Sequence, residues 1–354
     1  MKNFVGLDVG KKSIEAVRLY EGEKIQRFKC TTGPEGVASL LDWLDQTDHV
    51  SIEAGTLTFY LARKIQAHHI KITVLNAAQL AVIYNSKKKT DKEDALKLAR
   101  LLARNPVEEL PVVKIPSPEE DENRSLVNER SFYVTTRTKY INRVHGLLTS
   151  VGVVHTTRAM LGNHLNRKKV LEKSPLSIRN RLKRLCQSLD STESLLEEID
   201  QEVKETLKAN PEYSTIAMSL PDVSPVAALT FMAYLGDCTQ FKKSTQACSY
   251  AGLTPRINSS GETTRLGSIR QGCKPIRKII IQTAWTIVRS DLEGPLGKFY
   301  QRTHSRIGKK KAAIAVARKT IETFYHMIRR KEYYRGSDYD MISRKMKRTL
   351  SMQI

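Results

Sequence analysis

Cysteine is scarce and without pattern in this 354-residue chain. Cys30, Cys186, Cys238, Cys248 and Cys273 are scattered, odd in number and free of any C-x-x-C pair. That excludes a disulfide framework and a structural zinc site, and it fits a reducing cytoplasm. The histidines form no H-E-x-x-H or mixed His/Cys spacing, and His68-His69 reads as the end of a surface helix. No run of about 18 apolar residues occurs, so no membrane span is expected. The first residues, Met1 to Asp8, lead straight into a strand and carry no signal-peptide pattern.

Negative charge is also in short supply. Lys and Arg number 59 against 37 Asp and Glu, a formal net charge of +22. Such a balance points to an anionic polymer as partner. The 40% hydrophobic content is enough for sizeable cores, and the length suits two or three domains.

Against that background four carboxylates are conspicuous. Asp8 ends the apolar strand Phe4-Val5-Gly6-Leu7, and Glu53 ends a second one, Val50-Ser51-Ile52. Asp91 and Asp94 open a helix directly after Lys87-Lys88-Lys89. A strand end holds a side chain rigidly at a sheet rim, and residues i and i+3 share a helix face. Hard oxygen ligands so placed suit magnesium ions acting on a phosphodiester. Each carboxylate taken singly has a plainer reading: Asp8-Val9-Gly10 and Glu53-Ala54-Gly55 as turns, and Thr90 with Glu93 as a capping box that explains Asp91 in part. Asp94, one turn inside the helix, has no role in a cap.

Residues 1–105 read as an α/β, ribonuclease-H-like domain. Strands are expected at Phe4–Val9, Ser13–Tyr20, Lys24–Lys29, Val50–Glu53 and Ile70–Leu75, with Glu21-Gly22 as a hairpin turn. Helices are expected around Val37–Leu44, over Leu57–Ala67 and over Thr90–Arg104. Residues 106–122, with Pro106, Pro111, Pro116 and Pro118, read as a linker. Residues 123–212 carry two long helices. In the second, Leu182, Leu185, Leu189, Thr192, Leu196, Ile199 and Val203 form a heptad seam, which serves either an antiparallel hairpin or a coiled-coil dimer interface. A mainly helical domain spans 213–300, with one Gly/Ser/Thr-rich loop at Thr254–Gly272. Residues 301–354 read as a basic helical tail. Its Lys309-Lys310-Lys311 run and the clusters at Arg329–Lys331 and Arg344–Arg348 are phosphate contacts, the last two read as disordered arms.

These residues resemble a family. Leu7-Asp8-Val9-Gly10, Ile52-Glu53-Ala54-Gly55 and Lys89-Thr90-Asp91-Lys92-Glu93-Asp94-Ala95 are similar to the motifs of the DEDD-type insertion-sequence transposases, whose N-terminal domain is RuvC-like. Downstream, Phe241-Lys242-Lys243-Ser244, Tyr250-Ala251-Gly252-Leu253-Thr254-Pro255-Arg256, Ser259-Ser260-Gly261 and Gly267-Ser268-Ile269-Arg270-Gln271-Gly272 resemble the family's C-terminal transposase domain. The family includes bridge-RNA-guided recombinases and Piv-type invertases. The resemblance implies a prokaryotic enzyme, nucleoid-associated when active, that acts on donor and target DNA with Mg2+ and a structured guide RNA, as a homodimer or homotetramer. It places a nucleophilic serine at Ser260, next to Ser259, to form a covalent link to DNA. Arg256, Arg265 and Arg270 would clamp phosphate. Without the resemblance, Ser259-Ser260-Gly261 is an ordinary turn. One departure stands out. Where the family has a glycine-rich hairpin, this chain has Leu220-Pro221-Asp222-Val223-Ser224-Pro225, and Asp222 would repel a phosphate there.

Three other functions compete. A RuvC-like Mg-dependent endonuclease would use the carboxylates and water, leaving Ser260 idle. An actin-like or sugar kinase would need small or hydroxyl residues after Gly10, where Lys11-Lys12 stand, and a second Asp-x-Gly loop that is missing. A non-enzymatic basic RNA-binding scaffold would have no need of the four carboxylates.

Overall fold

In a computed structural model, the described residues are 3–20, 24–77, 79–80, 91–255, 257–260, 263–267, 269 and 272–352. The chain divides into two compact units, Met1–Ser117 and Pro118–Ile354.

The first unit is built on a five-stranded sheet in the order β3-β2-β1-β4-β5. The strands are β1 (Asn3–Val9), β2 (Ser13–Leu19), β3 (Ile25–Thr31), β4 (Asp48–Glu53) and β5 (Lys71–Leu75). β1, β2 and β3 are antiparallel neighbours, and β4 and β5 run parallel to β1. Side chains alternate between faces along each strand. Val5, Leu7, Ile14, Ala16, Val50 and Ile52 face one side, and α1 (Pro34–Trp43) and α2 (Thr58–Ala67) cover them. α3 (Asp91–Arg104) covers the other side and lies on β1, β2 and β4. The expected Glu21-Gly22 turn and Thr90 lie outside the described residues.

One charged pair is built into this sheet. Arg18 donates to both oxygens of Asp48, at 3.0 Å and 2.7 Å, and its guanidinium stacks 4.1 Å from the Trp43 ring. The pair is satisfied on every side, so it fixes the α1 end of the sheet without a desolvated orphan.

The segment expected as a linker at 106–122 is ordered. After a 3-10 turn at Val107–Glu109, it runs antiparallel beside β5. Val113 N–H donates to Val74 C=O at 2.8 Å, and Asn76 N–H to Pro111 C=O at 2.9 Å. Val113 and Ile115 pack on the core beneath α2. Pro116 and Pro118 then mark the boundary. Glu119, Glu120 and Asp121 belong to the first turn of the next helix, where carboxylates favour the helix dipole.

The second unit is helical apart from a short hairpin. Its elements are α4 (Pro118–Thr149), α5 (Arg158–Leu161), α6 (His164–Lys173), α7 (Leu176–Ala209), α8 (Pro211–Ser219), α9 (Pro225–Leu235), α10 (Ser244–Tyr250), β6 (Ile257–Ser260), β7 (Thr263–Leu266), α11 (Lys274–Ser290), α12 (Pro295–Ile307), α13 (Lys309–Arg330) and α14 (Tyr339–Leu350). α4 and α7 pack as an antiparallel pair, held by Arg130–Asp200 at 2.5 Å and Arg137–Glu193 at 2.7 Å. Leu182, Leu189, Thr192, Leu196, Ile199 and Val203 are buried. The chain's own α4 and neighbouring helices therefore fill the heptad seam, which needs no second copy to cover it.

The region expected as a basic tail is part of the same core. Ala312, Val316, Phe324, Ile342, Met346 and Leu350 share a cluster with Phe231 and Ile280. Phe231 and Phe324 rings are 4.8 Å apart. The Arg344–Arg348 cluster is accordingly no disordered arm: it lies on α14, whose apolar stripe docks on α8 and α7.

Candidate active site

Parallel pairing brings the first two carboxylates together. β1 and β4 are in register through Leu7 and Ile52, both fully buried, so the next positions are Asp8 and Glu53. By alternation both point to the face opposite Leu7 and Ile52. Tight turns follow each. Gly10 N–H donates to Ser13 C=O at 2.9 Å. Thr58 Oγ1 donates to Glu53 C=O at 2.6 Å and accepts from Gly55 N–H at 2.8 Å. Asp8 and Glu53, with Lys11 and Thr56, line one cleft of about 380 Å3.

α3 can lie directly on this sheet face because β1 carries a glycine. A Cβ on Gly6 would meet Ala95 O at 1.9 Å and Ala99 N at 2.7 Å, so the helix backbone rests directly on the strand. Farther along α3, Leu98, Leu101 and Leu102 pack with Phe4 and Leu75. At its start Ala95 and Leu96 pack with Val17 of β2, so α3 lies across β2, β1 and β4. Asp94 precedes Ala95, and its Oδ1 accepts from Lys97 Nζ at 2.6 Å. Asp91 opens the helix, and only its backbone is described. Among the described residues no group of three or more His, Cys, Asp or Glu is arranged to hold a metal. The structure brings Asp8 and Glu53 into one cleft and directs Asp94 to an ion pair.

A fifth carboxylate escaped sequence reasoning. Glu15 on β2 is the direct cross-strand partner of Asp8, and Lys29 on β3 is the partner of Glu15. Glu15 is buried and ion-paired to Lys29. Like charges directly opposite are destabilising, which Lys29 offsets. The signal was present in Ser13–Leu19: Glu15 falls on the same alternation as Val17 and Leu19, the face that α3 covers.

Ser260 lies elsewhere in the sequence and in the second unit. The expected loop contains a hairpin in which Ser260 pairs with Thr263 and Ser259 with Thr264. Ser260 is thus the last residue of β6, next to residues 261–262, which lie outside the described residues. The hairpin's base is tight. Cys273 N–H donates to Tyr250 C=O at 2.8 Å, and Gly272, at φ +113°, allows no Cβ, which would come 2.4 Å from Gly252 N. Only the backbone of Ser260 and Arg265 is described; Arg256 and Arg270 lie outside the described residues. Lys309, Lys310 and Lys311 are exposed at the first turn of α13. Cations are unfavourable at a helix N-terminus, and an anion there would relieve them.

Asp222 stands in the turn between α8 and α9. It takes the left-handed conformation that a glycine would supply, at φ +53°, and its carboxylate accepts from Ser290 Oγ.

Three antiparallel strands continued by two parallel ones, with carboxylates at neighbouring strand ends and a helix laid across them, are the architecture of a ribonuclease-H-like catalytic domain. A DEDD-type family model described as "Transposase" matches residues 5–153, and the "Transposase IS116/IS110/IS902 family" model matches residues 214–301. Relatives include "Probable family 20 transposase" of Pseudomonas aeruginosa, 24% identical over 81% of this chain and 85% of the relative. "Transposase for insertion sequence element IS1111A" of Coxiella burnetii is 27% identical over 74% of this chain and 73% of its own. "Pilin gene-inverting protein" of Moraxella bovis is 25% identical over 93% and 96%. The chain belongs to the DEDD-type insertion-sequence transposases, and it is a DNA transposase/recombinase. No helix among the described residues is long and apolar enough to cross a membrane.

Proposed function

We propose that this chain cuts and exchanges DNA strands at the ends of its own insertion sequence through a covalent Ser260–DNA link, with Mg2+ held by Asp8, Glu53, Asp91 and Asp94 and with a bridge RNA as guide. The observation that carries the reading is the cleft that Asp8 and Glu53 share at neighbouring strand ends.

The donor set fits a hard divalent cation. The residues lining the cleft offer carboxylates, hydroxyls and backbone carbonyls, and include neither cysteine nor histidine. One or two carboxylates, completed by waters and substrate phosphate, are the usual complement for magnesium. Asp8 and Glu53 would hold it, and Asp91 and Asp94 would join once Asp94 releases Lys97. When bound, the ion supplies neutralisation of the charge that develops on the phosphate.

Ser260 Oγ attacks phosphorus and gives up its proton as the O–P bond forms. The bond from phosphorus to one sugar oxygen breaks, and that oxygen takes a proton. The hydroxyl of an incoming strand then displaces Ser260 and restores it. Each step exchanges one phosphoester for another, so no nucleotide triphosphate is consumed. Arg256, Arg265 and Arg270 would clamp phosphate oxygens. Lys309, Lys310 and Lys311 would neutralise backbone phosphates, and the net charge of +22 leaves capacity for a guide RNA beside DNA.

A second reading, DNA inversion without an RNA guide, is favoured by the similarity to the Moraxella bovis protein along almost the whole chain. Two experiments test these readings. Calorimetric Mg2+ titration of wild type and of the Asp8→Asn/Asp94→Asn double variant should give binding only in wild type; equal, weak binding by both would refute the metal site. Sequencing of copurified nucleic acid should give one abundant structured RNA for the guided reading. A random mixture would favour the unguided one.

A further inference from the structure

Two clefts in the second unit join into one groove. The first, about 890 Å3, opens between the Leu220–Pro225 turn and α14. The second, about 440 Å3, opens between α4, α7 and the start of α9. Both are lined by Pro225, Arg348 and Thr349, so the groove is continuous past Arg348. Arg344 and Arg348 lie one turn apart on the exposed side of α14 and line the first arm. Lys204 lines the second, together with Arg348.

The groove also holds three carboxylates, and each has an internal partner. Asp222 accepts from Ser290 Oγ, Asp291 accepts from Gly294 N–H at 2.9 Å, and Asp200 is bound by Arg130 at 2.5 Å. Arg344 is tied only lightly, to the backbone carbonyl of Asp340 at 3.2 Å. Below them Lys345 is committed to structure: its ammonium donates to Met218 and Leu220 carbonyls. The helix that presents the arginines is therefore anchored from beneath, and their guanidinium forks are left for a ligand.

We propose that this groove is a track for the phosphodiester backbone of a nucleic-acid strand, with Arg344 and Arg348 as its phosphate clamps. The inference rests on the nucleic-acid reading of the function and adds where one strand lies. Two joined arms of this size exceed what a single phosphate fills, and cations in both arms suit an anion that repeats. Guanidinium matches phosphate bidentately, which a lysine would not. Asp222 stays in the groove wall, where its carboxylate accepts from Ser290 Oγ instead of standing without a donor.

The test uses the full-length chain in EDTA, so that no catalytic step contributes. Fluorescence anisotropy follows binding of labelled 20-nucleotide single strands of DNA and of RNA, of one mixed sequence, across a salt series. Arg344→Ala/Arg348→Ala should weaken at least one of the two roughly 10- to 30-fold at 0.1 M salt. Two lost phosphate contacts should also flatten the log–log salt slope by about 1.4. Lys168→Ala/Lys169→Ala, which removes the same charge from the exposed side of α6, should change neither. Whichever probe loses more identifies the strand as DNA or RNA. Equal affinities for wild type and the arginine variant, or equal losses in both double variants, would overturn the groove while leaving the recombinase reading intact. Absence of binding by wild type to either probe would overturn both. Thermal melts of the variants guard against misfolding, and Arg344→Lys/Arg348→Lys, which keeps the charge, should restore the slope but only part of the affinity.

Discussion

Gly6 and Ala95 are in backbone contact: a Cβ on Gly6 would lie 1.9 Å from the carbonyl oxygen of Ala95. Nothing at that position can yield except the helix itself. Gly6→Ala should therefore push α3 off the sheet, costing about 1–3 kcal/mol as an overpacked contact does. It should also displace Asp94, the residue before Ala95, and weaken Mg2+ binding. Urea denaturation and metal titration of the variant measure the two effects. Unchanged stability would mean that α3 is not seated as described.

Arg167 is buried at 2% side-chain exposure and holds Asp190, Glu193 and the Leu161 carbonyl at once. Removing one partner of such a set leaves the rest uncompensated. Arg167→Met should destabilise by up to about 3 kcal/mol, the low end for a broken buried pair because Asp190 is 36% exposed. Arg137→Met, which breaks a more exposed pair to Glu193, should cost no more than about 1 kcal/mol. Chemical denaturation midpoints compare them, and equal losses would contradict the central role of Arg167.

Lys345 donates to Met218 C=O at 2.7 Å and Leu220 C=O at 2.9 Å. Burial pushes its pKa down to about 8 from an ordinary 10.5, against the pull of Asp222 and with a smaller push from Arg348. The folded value lies below the unfolded one, so between pH 8 and 10.5 the unfolded chain holds more protons. Stability owed to this group should rise with pH across that window and be flat below it. The neutral amine keeps donors for both carbonyls. The stability difference between wild type and Lys345→Met, measured from pH 7 to pH 10, should grow in favour of wild type. A difference that shrinks over that range would contradict the assignment.

Much of the first unit was legible because its signals are local. Strand alternation marked β1 to β5 within a residue or two, and helical periodicity marked α2 and α3. Asp8 and Glu53 stood out because a carboxylate ending an apolar strand is costly without a purpose. Glu15 did not, since its meaning comes from pairing with Asp8 across β1 and β2. The heptad seam of α7 was clear, but whether it faced α4 or a second copy depended on tertiary packing. Pro106–Glu122 read as a linker because proline punctuates, yet Val113 and Ile115 had a core to join. The Arg344–Arg348 cluster read as an arm because its charges outweigh Ile342, Met346 and Leu350, the stripe that docks it.

The most direct test of the central claim is covalent trapping on a plasmid that carries this gene with its flanking DNA. Wild type with Mg2+ and its copurified RNA, quenched in detergent, should yield a protein–DNA adduct whose peptide map places the link on Ser260. Ser260→Ala should yield none, while Ser259→Ala should still form it. Strand cleavage by wild type without any adduct, or an adduct that survives Ser260→Ala, would contradict the account.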